Sequence, residues 1–366
     1  MKFSVIKETI LDELQLMQGI IEKRNTMPIL ANILVNVNPE KVDLTGTDLE
    51  VGLKTYFQAS VEEAGGITVS GKKIFEIVKS LPDGQPITFK ENEDLMMEIS
   101  SGKTEFKVLC LPKEDFPLVP EARFEKKIVL PLDKLKDMID RVYYAIAQEQ
   151  RYYLNGALMI IKKNALELVS TDGHRLSYTS AFVEGLNHEE EIRVIVAKKT
   201  LGEIRKMNDD KMEFDFDENN LFFRVHNRMI ISRIIESKFP NFEAVIPKDN
   251  PHILLVGKEN FSQSIRRVAL LASERSRGVK LTIEKNQLRL YSSNPEIGEA
   301  RDNLEVEYKG PELEMGFNSQ YLLDFLLSAS AEKIRLELKD NNSAAVMKPE
   351  LEADIKYTYI LMPMKI

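Results

Sequence analysis

The chain repeats itself. The stretches VDLTGTDLE (42–50), LELVSTDGH (166–174) and LRLYSSNPE (288–296) each read as a short strand followed by a turn. The acidic or amide residues of those turns, Asp48, Asp172 and Asn294, stand 124 and 122 residues apart. An aromatic or Met before Pro recurs at Phe116-Pro117, Phe239-Pro240 and Met362-Pro363, at intervals of 123 and 123. A third set, TVSGKKIFEIVKSL, VIVAKKTLGEIRKM and MGFNSQYLLDFLLS, runs from a strand end into a helix at the same period. A 366-residue chain is too long for one compact core, and three copies of one unit fill it. The expected domains are 1–122, 127–249 and 252–366. They are joined by the polar, Pro-bearing stretches VPEARFEKK (119–127) and IPKDNPH (246–252).

Each repeat opens on a helical apolar stripe: Ile10, Leu14, Met17 and Ile21; Leu132, Leu135, Met138 or Ile139, and Val142; Phe261, Ile265, Val268 and Leu271. Alternating stretches with polar turns follow, such as ILVNVNPEKVDLTG, LMIIKKNALELVST and VKLTIEKNQLRLYS, and these read as hairpins. A second helix and further hairpins complete the unit. The fold class is α+β, a helical layer on one face of antiparallel sheet, repeated three times.

Other classes drop out. With 43% hydrophobic and 30% charged residues the chain is neither disordered nor fibrous. Cys110 is the single cysteine, so no internal disulfide forms, and its setting in EFKVLCLP reads as a small buried residue. The four histidines are widely spaced with no ligand pattern, so neither a metal nor a cofactor is expected. MKFSVIKETILDEL has no secretory pattern and no apolar run approaches the length of a membrane span, which points to the cytoplasm.

The net charge of −8 argues mildly against nucleic acid. It is unevenly spread, however. The six candidate helices (7–24, 70–80, 132–150, 198–207, 258–275 and 319–330) sum to about +4, leaving about −12 elsewhere. Either Lys and Arg simply populate solvated helix faces, or the helices form one surface toward a polyanion. Phosphate attraction of that kind needs no base-reading helix, and none is evident.

The segment TDGHRL (171–176) gathers Asp172, His174 and Arg175 about Gly173. Asp172 and His174 could form an acid–base pair. Against catalysis, there is no phosphate loop, metal signature or second catalytic motif nearby. Asp172 has counterparts at Asp48 and Asn294, as expected of a residue that shapes a turn. Three readings stay open: an enzyme, a scaffold that binds only proteins, and a helical surface that faces a polyanion such as DNA.

MPILANILV, LTGTDLEV, RYYLNGALM, STDGHRLS, KFPNF, RGVKL, MGFNSQYLLD and the terminal MPMK, in this order and spacing over the whole chain, resemble the bacterial sliding clamps, the beta subunits of DNA polymerase III. The resemblance implies a non-catalytic subunit of the holoenzyme, a processivity factor whose helices line a central channel. Two chains would join head to tail around duplex DNA. Two helices in each of six repeats make about twelve, and packed axes about 9–10 Å apart leave a hole roughly 26 Å wide, enough for a hydrated duplex. An enclosing ring need not be strongly basic.

The resemblance further implies that TDGHRL and the chain end form a hydrophobic cleft. Its ligands would be linear peptides of the polymerase III catalytic subunit, the clamp loader, other polymerases and repair proteins. The cleft residues are Leu154, Thr171, Gly173, His174, Arg175, Leu176, Pro240, Val245, Asn318, Tyr321, Ile360, Met362, Pro363 and Met364. Ala244 stands where many members have Arg, and Lys365-Ile366 where many have Arg-Leu, so the rim is expected to select somewhat different peptides. For double-stranded DNA the candidates are Arg24, Lys72, Gln148, Tyr152, Tyr153, Lys198 and Lys199; one of the two tyrosines could equally be core. For the homodimer joint they are Lys73, Ile74, Phe106 and Val108 against Leu270, Leu271 and Glu299, whose apolar members fit either an interface or a core.

Overall fold

The computed structural model describes the whole chain except residues 22–26, 93, 125–126, 149–151, 187–189 and 352–353, and the side chain of Tyr152. Arg24 therefore lies outside the described residues, as does the side chain of Tyr152. The chain forms two compact units. One comprises Met1–Asp133 and Lys199–Ile234, the other Lys134–Lys198 and Ile235–Ile366. The middle repeat contributes strands to both.

Among the described residues there are six α-helices: α1 Lys7–Met17, α2 Gly71–Ser80, α3 Leu132–Val142, α4 Lys198–Ile204, α5 Lys258–Ala269 and α6 Ser319–Ser328. Each anticipated helix is present but most are shorter than expected. Past Met17, Gly19 and Ile20 donate to carbonyls three residues back, so the helix tightens before the backbone leaves it. Two helices start on side-chain caps: Ser70 Oγ accepts from the Lys73 N–H, and the Asn318 side chain accepts from the Gln320 and Tyr321 N–H groups. The apolar stripes of α1, α3 and α5 face inward, and every stripe residue is buried except Leu271, which is half-exposed. Cys110 is buried, and burial pushes its thiol pKa up to about 11, well away from a reactive thiolate.

The predicted hairpins form. Asn32–Val37 pairs with Lys41–Thr47, Gly156–Lys162 with Ala165–Thr171, and Gly278–Glu284 with Gln287–Asn294, all antiparallel. The second and third turn through Asn164 and Asn286 at φ 55° and 59°, a region asparagine tolerates.

In the first unit thirteen strands form one sheet. Repeats one and two meet within it by strand pairing, as Val51–Gln58 lies beside Arg228–Arg233 with Ser232 opposite Val51. The second unit has a nine-stranded and a four-stranded sheet. Repeats two and three meet in the larger one, where Arg175–Phe182 pairs with Ile355–Leu361 from Arg175 opposite Leu361 to Ala181 opposite Ile355. That pairing sets the TDGHRL turn beside the chain end.

Candidate functional site

The TDGHRL turn is built by its own side chains. Asp172 Oδ1 accepts from the N–H groups of His174 and Arg175 at 3.0 and 3.1 Å. Thr171 Oγ1 donates to the Arg175 carbonyl at 2.6 Å and accepts from the Gly173 N–H at 3.0 Å. Gly173 sits at φ 91°, where a Cβ would be strained. Asp172 is thus spent on the turn, with both of its oxygens hydrogen-bonded.

Arg175 fixes this turn to the layers beneath. Its guanidinium donates to Asp172 Oδ2 (2.9 Å), Asp324 Oδ2 (2.6 Å) and the Tyr144 carbonyl (2.6 Å), and lies 4.1 Å from the centre of the Tyr321 ring. Burial opposes its charge, but Tyr359, Asp324 and Asp172 outweigh that and raise the pKa above the usual arginine value. A buried tyrosine layer supports it. Tyr144 and Tyr357 share a 2.6 Å hydrogen bond, and the Tyr359 hydroxyl donates to the Tyr321 carbonyl. Burial pushes Tyr357 up to about 12, so this layer stays neutral at ordinary pH.

Above it lies an apolar floor. Leu154, Leu176 and Ile360 are buried in one cluster with Phe239 and Phe242, and the Phe242 ring stacks on Tyr178 at 5.8 Å. Val245, Met362 and Pro240 are exposed over this floor. The chain end forms the other wall. The Met362 N–H donates to the His174 carbonyl at 3.0 Å and the Met364 N–H to the Gly316 carbonyl at 2.8 Å. Ile366 crosses Gly278 and Gly316 so closely that a Cβ on either would meet it at 3.1 and 2.7 Å. His174, Ala244 and Lys365 are exposed at the rim. Asn318 acts locally, capping α6 and donating to the Ser276 carbonyl.

The anticipated cleft residues therefore come together in one unit. Tyr144, Asp324, Phe242 and Tyr359 were not anticipated. They sit far from TDGHRL in sequence, and only the sheet pairing brings them beneath it.

The DNA candidates fare unevenly. Lys72 and Gln148 are exposed, with Lys72 Nζ 3.7 Å from Glu76. Tyr153 is half-buried and packs on the apolar cluster of the cleft. Lys198 Nζ donates to the Ile146 carbonyl at 3.3 Å and lies 5.1 Å from the Tyr143 ring centre; burial, then Arg175, lowers its pKa. Lys199 Nζ is bound to Asp48 Oδ2 at 2.5 Å and to the Ile20 carbonyl at 2.7 Å. Both lysines were expected to face phosphate. In this structure they hold their own units together, because internal carbonyls and a carboxylate lie within their reach.

The joint candidates also need one correction. Ile74 is 1% exposed and belongs to the core, since α2 turns it toward the sheet. Lys73 is exposed and Phe106 and Val108 are half-exposed. They flank an open strand edge: among the described residues Thr104–Leu109 pairs only with Met96–Ser101, while Cys110–Pro112 takes the neighbour on the other side. In the other unit Leu270 is 78% exposed, Leu271 half-exposed and Glu299 exposed. Glu299 lies on Gly298–Glu305, the edge strand of the four-stranded sheet.

No group of three or more His, Cys, Asp or Glu among the described residues is arranged to hold a metal ion. None of the described helices is long and apolar enough to cross a membrane.

An α+β chain of three repeats, with an apolar floor beside a hydrogen-bonded turn where the second and third meet, fits a clamp-type protein. Comparison with known proteins gives the family. The models for the DNA polymerase III beta subunit match in sequence order: the N-terminal domain over residues 1–120, the central domain over 129–241 and the C-terminal domain over 243–365. The chain is 35% identical to the beta sliding clamp of Pseudomonas putida and 34% to that of Escherichia coli K12, in each case over the full length of both. Its structure is similar to that of the DNA polymerase III subunit beta of Pseudomonas aeruginosa (TM-score 0.94, 33% identity) and of the Bartonella birtlesii sliding clamp bound to griselimycin (TM-score 0.94, 35% identity), both fully covered. The chain belongs to the DNA polymerase III beta subunit family.

Proposed function

We propose that this chain is the processivity clamp of DNA replication. Two copies join head to tail into a ring around duplex DNA, and the cleft at TDGHRL tethers the polymerase III catalytic subunit, the clamp loader, other polymerases and repair proteins. It acts in the cytoplasm without catalysing a reaction. The three-domain division of the ring follows the repeats, 1–122, 127–249 and 252–366. The observation that carries the reading is the cleft. Its turn is fully hydrogen-bonded, its floor is apolar, and its outer wall is a Met- and Pro-bearing tail that suits varied linear ligands.

Enclosure, rather than affinity, explains how an acidic chain stays on DNA. Lys72 and Gln148, with Arg24 and the Tyr152–Tyr153 loop, are the proposed contacts with the duplex, weak and independent of sequence. Once loaded, the protein is expected to remain on closed circular DNA in about 0.5 M salt, where phosphate contacts are screened, and to leave linear DNA within the same wash. Equal loss from both forms would rule out the ring.

For the joint, the open edge Thr104–Leu109, where Lys107 pairs with Glu98 and Glu105, meets the edge strand Gly298–Glu305 with Glu299. Leu270 and Leu271 supply the apolar part. Leu270→Ala/Leu271→Ala is expected to sediment as a monomer at micromolar concentration; a persistent dimer would place the joint elsewhere.

A further inference from the structure

The cleft turn has a copy in the first unit, and it is made by the same hydrogen bonds. Thr47 Oγ1 donates to the Val51 carbonyl at 3.2 Å and accepts from the Leu49 N–H at 3.0 Å. Asp48 Oδ1 accepts from the N–H groups of Glu50 and Val51 at 3.0 and 2.6 Å. The Arg233 N–H donates to the Glu50 carbonyl at 2.8 Å, as Met362 does to His174. Leu49 thus stands in the place of Gly173, Glu50 in that of His174, Arg233 in that of Met362, and Ile231 in that of Ile360.

The substitution of Leu for Gly is costly. Leu49 is held at φ 77°, a region that disfavours any residue with a Cβ. Its side chain is nonetheless 47% exposed rather than buried for compensation. Leu118 beside it is fully exposed. Between them opens a cavity of about 350 Å³, lined by Leu49, Glu50, Leu118, Pro120, Ile231 and Arg233 among others. Arg233 is exposed, and among the described residues its side chain has no hydrogen bond or ion pair. The Lys199–Asp48 contact fixes the turn, so the strained leucine is presented on a rigid support.

We infer that this cavity is a second peptide dock, one that takes a short extended segment of another protein with two adjacent aliphatic side chains and a carboxylate after them. The aliphatic groups lie on Leu49, Leu118 and Ile231, and the carboxylate pairs with Arg233. Glu50, in the place of His174, requires the other end of the peptide to be neutral or basic. The two docks of one chain thereby select different charge patterns and can be filled together. The inference rests on the reading of the TDGHRL cleft as a peptide dock.

The test is methyl NMR of the leucine-labelled full chain titrated with acetyl-Gly-Lys-Leu-Leu-Asp-Gly-amide, with Leu49→Ile and Leu118→Ile assigning the signals. Saturable shifts of Leu49 and Leu118 are expected. Arg233→Glu and the milder Arg233→Gln should weaken this response, the former by about tenfold, while removal of residues 362–366 leaves it intact. The inference is overturned if these methyls do not move, if they move equally with the peptide in which both leucines are serine, or if Arg233→Glu has no effect. In a parallel titration with a polymerase tail peptide, a silent Leu154 and Leu176 would instead count against the TDGHRL cleft, so the two failures are separable.

Discussion

Removal of Met362–Ile366 is expected to raise the dissociation constant of a polymerase tail peptide by about a hundredfold or more while leaving a folded dimer. The last strand ends at Leu361, which pairs with Arg175, so the sheet register survives the deletion. What is lost is the wall, held by two backbone bonds, Met362 to His174 and Met364 to Gly316, and by Ile366 across two glycines. Loss of several contact side chains at the centre of a small dock costs about 2–4 kcal/mol, the range of a binding hot spot. Gly316→Val tests the same wall without shortening the chain. A Cβ there would meet the Met364 carbonyl oxygen at 2.4 Å, so the tail must shift. Calorimetry with both variants decides the matter, and an unchanged affinity in the deletion would remove the tail from the dock.

Much of this was legible in the sequence because the repeat supplied internal controls. Three turns with an Asp or Asn at one offset identified Asp172 as a turn former, and the structure shows both of its oxygens so occupied. Apolar stripes located the helices, since burial follows the helical period closely. Helix ends were less legible, because hydrogen bonding at the ends depends on where the chain must go next. The internal partners of Lys198 and Lys199 were hidden for a related reason. A lysine on a helix reads as a free cation unless the carbonyl or carboxylate it reaches is known, and Asp48 lies 151 residues from Lys199. Ile74 shows the reverse error, as an apolar residue near a predicted joint that the helix period in fact directs into the core.

The support beneath the cleft was the least legible part, and Arg175 tests it most directly. Its partners lie 3, 31 and 149 residues away, and no local pattern joins them. The Arg175 side chain is 9% exposed and those of Asp172 and Asp324 17% each, so its removal strands two shielded carboxylates and a carbonyl. Breaking a pair of this kind costs about 3–5 kcal/mol, and the residual solvent access argues for the lower end. Arg175→Met should therefore speed hydrogen exchange along Arg175–Phe182 and weaken peptide binding at the same time. Arg175→Lys keeps the charge but reaches only one partner at a time, so it should recover part of the stability and little of the affinity. In the double variant Arg175→Met/Asp324→Asn one stranded charge is gone, and its destabilisation should fall short of the sum of the two single changes by about 1–3 kcal/mol. If Arg175→Met exchanges and binds like the unaltered chain, the turn is held by Thr171 and Asp172 alone and the guanidinium is dispensable to the dock.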